Sequence, residues 1–134
     1  MLLVGSIAAA IGGLIHVYIF LLESAWFQRP RVWSRFGVKT QDDAKVVGGF
    51  AYNQGFYNLF LAAGVALGLA LMARSGGAGA DASLFAAGKA IAMFACASMA
   101  GAGAVLITTD RRFARAAALQ IVPGLTAAVL LFLA

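Results

Sequence analysis

Residues 44–73 read AKVVGGFAYNQGFYNLFLAAGVALGLALMA, and between Lys45 and the following Arg74 they carry no charge. The run exceeds the ~20 residues that a helix needs to cross ~30 Å of hydrocarbon, so its first turns are expected to stand in the interface or the helix to tilt. Its front half holds the chemistry. Asn53, Gln54, Tyr57 and Asn58 lie among Phe50, Phe56 and Phe60. Lipid offers an amide no hydrogen-bond partner, so each must find one within the protein.

Three further apolar segments complete the chain. The four are expected at 2–22, 44–73, 84–108 and 113–134, which predicts an all-α integral membrane protein: one domain, an antiparallel bundle of four transmembrane helices. Composition agrees. The 134 residues are 63% hydrophobic and 11% charged, against about 25% charged in a soluble domain, too few to cover a soluble surface. The first segment lacks a basic leader and exceeds the usual signal-peptide core, so it reads as a membrane helix and not a cleaved leader. The single Cys96 lies within the third segment and reads as a small buried residue.

The net charge is +5, but the basic residues fall in short loops between oily segments, the pattern of membrane topology and not of nucleic-acid binding. The first loop holds Arg29, Arg31, Arg35 and Lys39, and the third holds Arg111, Arg112 and Arg115. The second, around Gly76, Gly77 and Gly79, has basic residues only at its edges. The expectation is a multi-pass protein of the bacterial inner (plasma) membrane with loops one and three cytoplasmic and both termini outside. In the first loop, Trp26, Phe27, Trp33 and Phe36 interleaved with arginines suit an interfacial anchor among membrane lipids, or a lid over a site. A short interfacial helix is expected after Pro30.

Counting at about 1.5 Å per residue gives depths. His16 lies about 10 Å in from Glu23, Asn53 and Gln54 about 12–14 Å in from Lys45, and Gln120 about 10 Å in from Phe113. Ser98 lies about 15 Å in from Thr108. The count predicts one polar layer in the cytoplasmic half, with the amides turned inward toward His16, Gln120 and Ser98. Small residues are expected where helices meet: Gly12 and Gly13, Gly64 and Gly68, and Ala97, Gly101 and Gly103. Pro123 is expected to loosen the fourth helix.

Two readings of the layer stand. One is interhelical glue, at about 0.6 kcal/mol per hydrogen bond on average. The other is a ligand pocket lined by His16, Glu23, Asn53, Gln54, Tyr57, Asn58 and Gln120, since an ionisable residue inside a membrane marks a site by default. Any acid–base chemistry would fall to His16, Glu23 and Tyr57. No metal and no cofactor is expected: the chain has no HxxxH or CxxC spacing and no nucleotide motif.

The strings HVYIFLLESAW, QRPR, FG, AYNQGFYN and LQIVPG resemble the bacterial membrane family labelled domain of unknown function 1304, over essentially the whole chain. The resemblance implies a small four-helix integral membrane protein with no established reaction. It maps onto His16, Tyr18, Glu23, Trp26, Pro30, Arg31, Asn53, Gln54, Tyr57, Asn58, Gln120 and Pro123. Function stays open among three classes. These are a site for an amphipathic or lipid-like small molecule, a small homodimeric transporter, and an accessory or scaffold subunit of a membrane complex. Small-residue faces on the second and third segments suit a homodimer packed across a two-fold axis.

Overall fold

The computed structural model describes every residue, Met1–Ala134, and contains helices and no strand. Helix α1 spans Leu2–Phe20 and ends in a single π-helical turn, Leu21–Ala25. The short helix α2, Pro30–Trp33, continues as a 3-10 turn, Ser34–Phe36. The long helix α3 spans Gln41–Arg74 and α4 spans Ala82–Thr109. A 3-10 turn, Arg111–Phe113, leads into α5, Ala114–Phe132. Four of these, counted with their terminal turns, are long and apolar enough to cross a membrane: Leu2–Ala25, Gln41–Arg74, Ala82–Thr109 and Arg111–Phe132. By length and composition this is a multi-pass, all-α membrane protein.

The chain forms two compact units: Met1–Ile15 with Leu61–Ala134, and His16–Phe60. The first is a four-helix bundle of the start of α1, the end of α3, and all of α4 and α5. Its core is Ala9, Val65, Ala92, Cys96, Met99, Ala127 and Leu131. Small residues set the helix spacing, as close backbone approach in apolar surroundings requires. At the crossing of α3 and α4, a Cβ on Gly68 would lie 2.7 Å from the Gly88 carbonyl oxygen, and one on Gly88 2.6 Å from that of Gly68. Gly103 and Gly124 do the same between α4 and α5, against the carbonyls of Ala117 and Cys96. Gly12 faces Met99, and Gly13 faces Val65. Ala97 and Gly101 differ from expectation: both lie on the outer face of α4, with open space beside Gly101.

The turn between α3 and α4 uses Gly76 and Gly77 at φ 69° and 103°, a region glycine enters without steric cost. Asp81 then caps α4, its carboxylate accepting from the Leu84 N–H at 3.0 Å and the Ser83 hydroxyl at 2.9 Å. These hydrogen bonds hold its carboxyl below the ordinary carboxylate range, the bond from Leu84 contributing most.

The second unit is a helical hairpin, the end of α1 against the start of α3, closed by the first loop. Pro30 opens α2 at its first position, as its missing N–H and fixed φ favour. The loop is folded, with Phe27 and Val32 buried. Gln28 donates to the Ala44 carbonyl and accepts from Gln41, and the Trp33 indole N–H donates to Gln41. Arg35 donates to the Tyr18 hydroxyl at 3.3 Å, tying the loop back to α1.

Candidate functional site

Of the predicted residues, the second unit brings two into direct contact. Asn58 Nδ2 donates to the Glu23 carboxylate at 2.9 Å, and also to the Gln54 carbonyl of its own helix at 3.1 Å. Asn58 is 8% exposed, while Glu23 is half-buried. The junction is therefore a carboxylate at the end of one apolar helix, held by a buried amide of the next.

The π turn presents Glu23. It inserts one residue into the helical register, closing with the Trp26 N–H on the Leu21 carbonyl at 2.8 Å. Ser24, next along, donates its hydroxyl to the Tyr52 carbonyl at 2.8 Å. Gly55 lets this turn approach. A Cβ there would collide with Ser24 Oγ and would sit 3.1 Å from both Glu23 Cβ and the Ser24 backbone nitrogen. Aromatic rings flank the junction, with Phe20 and Phe56 edge to face at 5.2 Å and Tyr52 and Phe56 at 5.0 Å.

These contacts set α1 and α3 in register. Glu23 marks the end of the first apolar segment, and Asn58 is bonded to it, so Asn58 stands at the segment's border. Asn53 and Gln54, five and four residues nearer the first loop, lie about 6–8 Å further along α3 from Asn58. Helix α3 has 34 residues, about 51 Å. That is some 20 Å more than the hydrocarbon requires.

The expected direction of the side chains is corrected. Asn53, Gln54 and Tyr57 are exposed and do not turn inward; Tyr57 is 56% exposed. Asn58 lies about 140° around the helix from Asn53, at 100° per residue, which separates the inner from the outer face. His16 is fully buried on α1, two turns before Glu23. Gln120 is buried in the first unit, where its amide donates to the Ala116 carbonyl one turn back and its Cβ packs at Gly103. Ser98 donates to the Phe94 carbonyl of its own helix. Asn58 thus bonds to α1 and to its own helix, while Asn53, Gln54 and Tyr57 lie on the exposed face of α3.

Sequence reasoning missed Ser24, Tyr52, Gly55 and the Arg35–Tyr18 bond. Gly55 alone left a signal, being the one small residue between two aromatics and two amides. No cluster of three or more His, Cys, Asp or Glu side chains gathers where it might hold a metal ion.

A four-helix membrane protein with a carboxylate–amide junction at the border of its apolar segments is the class these features define. The chain belongs to the family described as protein of unknown function (DUF1304), whose model matches residues 10–132. No curated protein and no solved structure matches the chain.

Proposed function

We propose that the Glu23–Asn58 junction is the polar anchor of a site for an amphipathic or lipid-like small molecule, in the cytoplasmic half of a bacterial inner-membrane protein with both termini outside. The observation that carries this reading is the junction itself. Glu23 directly follows the first apolar segment and is half-buried, with one oxygen on Asn58 and acceptor capacity left over. Beside it, Asn53, Gln54 and Tyr57 are open on the face of α3. A head group with hydroxyl or ammonium donors would find a carboxylate and amides there, and its tail would find apolar helix. The reading is of binding and not of acid–base catalysis, because His16 is fully buried and Tyr57 faces outward.

Glu23→Gln tests it, since the amide oxygen still accepts from Asn58 while the charge is lost. Native mass spectrometry of the protein in mild detergent should show a co-purifying small molecule on the wild type and at least about tenfold less on Glu23→Gln, with thermal stability little changed. A variant that loses stability while bound mass is unchanged would make the junction glue.

A second reading, an accessory subunit or homodimer, draws on the same face of α3. Phe50 is 81% and Phe60 62% exposed, and large apolar side chains beside open amides suit a protein partner as well as lipid. Chemical cross-linking in native membranes separates the two: a partner or second copy cross-linked through positions 50–60 favours assembly.

A further inference from the structure

The first unit carries a groove of about 730 Å³ between α1 and α5, and its surface is almost wholly apolar. Ile11 and Ile15 form one wall, and Leu119 and Val122 the other. Thr126 closes the far end, and Arg115, the only charged residue, borders the near end with its aliphatic stem. From Arg115 to Thr126 the groove follows α5 for about 16 Å. A long apolar trough with one cation at its mouth has the form of an extended amphiphile with an anionic head.

We infer that this groove binds a membrane phospholipid with a net negative head group, one acyl chain lying along α5 and the phosphate on Arg115. This goes beyond the reading of the Glu23–Asn58 junction and does not rest on it. Charge complementarity carries the inference. The ion pairs of the chain are Lys45–Asp42 and Arg112–Asp110, so the acid nearest Arg115 in sequence is engaged by Arg112. Arg115 sits in the first turn of α5, where the helix dipole disfavours a cation; an anion at that place meets both the guanidinium and the positive end of the helix. Positive-inside topology asks for arginine near a helix end, but not for arginine lining a groove. A second copy of this chain fits less well. Its acidic residues besides Glu23 are Asp42, Asp43, Asp81 and Asp110, in loops and first turns, with none on an apolar face to oppose Arg115.

The test is competition between two lipids of identical chains, phosphatidylglycerol and phosphatidylcholine, added in equal amounts to the delipidated full chain and read by native mass spectrometry. The wild type should retain phosphatidylglycerol over phosphatidylcholine by about fivefold, as one charge-assisted contact at a half-open site allows. Arg115→Gln, an exposed change, should bring the ratio to about one, and Arg115→Lys should keep most of it. Ala118→Phe, which fills the groove wall, should lower retention of both lipids. Glu23→Gln should leave the preference intact, so the two sites fail separately. Equal retention of both lipids by the wild type would mean a non-specific annulus and overturn the inference. So would a preference that survives Arg115→Gln, or a lipid-free dimer.

Discussion

At the scale of residues, Gly55 and Asn58 decide the junction. Gly55 admits the π turn, and Asn58 holds what the turn presents. Gly55→Ala should force Ser24 off the Tyr52 carbonyl and push the turn outward, because the Ser24 backbone and Glu23 Cβ cannot both move aside. The expected cost is about 1–3 kcal/mol, of the kind that overpacking brings, seen as a lowered melting temperature in detergent. Gly49→Ala, with open space beside it, is the control and should leave melting unchanged or slightly raised. A melting temperature for Gly55→Ala equal to the control's would mean that the close approach is not needed. The sequence shows that residues 50–60 mix amides with aromatics. It does not show which amide faces inward, since a helical wheel has no origin until a neighbouring helix supplies one.

At the scale of elements, the helices were legible and their ends less so. Apolar length alone places four membrane helices, because no other structure hides its backbone polar groups as completely. The π turn was not legible. LLESA holds no glycine or proline to mark it, and its cause is tertiary, a serine hydroxyl reaching a carbonyl on α3. The surplus length of α3 was legible, but not where along it the hydrocarbon ends: a charge such as Lys45 marks where a membrane can end, not where it does. The start of α4 carries its own prediction. Asp81 has a folded-state carboxyl pKa lowered by the hydrogen bonds it accepts. Its stabilising contribution is therefore complete above the unfolded value of about 4 and is lost as pH falls through the folded value. Acidification from pH 5 to pH 2 should release hydrogen-exchange protection in the first turn of α4 in the wild type. In Asp81→Asn, which caps without titrating, that step should be absent. A step of the same size in both proteins would assign it to another group.

For the molecule as a whole, the polar groups divide between two kinds of place. Gln120 and Ser98 satisfy themselves on their own helices inside or beside the bundle, as buried amides and hydroxyls must. Glu23 and Asn58 meet at the border of the apolar segments, and Asn53, Gln54 and Tyr57 stand open beyond or beside them. The residue types of the candidate site could be read from sequence, and so could their gathering toward one end of α1 and α3. Their level could not, because depth counted along one helix is fixed only by a contact with another. The account rests on that level: we propose that the start of α3 lies outside the hydrocarbon and leaves its amides within reach of head groups and small molecules. Thiol labelling tests this most directly, in lipid nanodiscs with Cys96→Ala as background and a water-soluble maleimide as probe. Asn53→Cys and Gln54→Cys should react within about threefold of Asp43→Cys and at least ~10 times faster than Ala63→Cys and Ala66→Cys, which are also exposed on the protein but lie further along the apolar run. Rates at 53 and 54 as slow as those at 63 and 66 would put the amides inside the membrane and contradict the account.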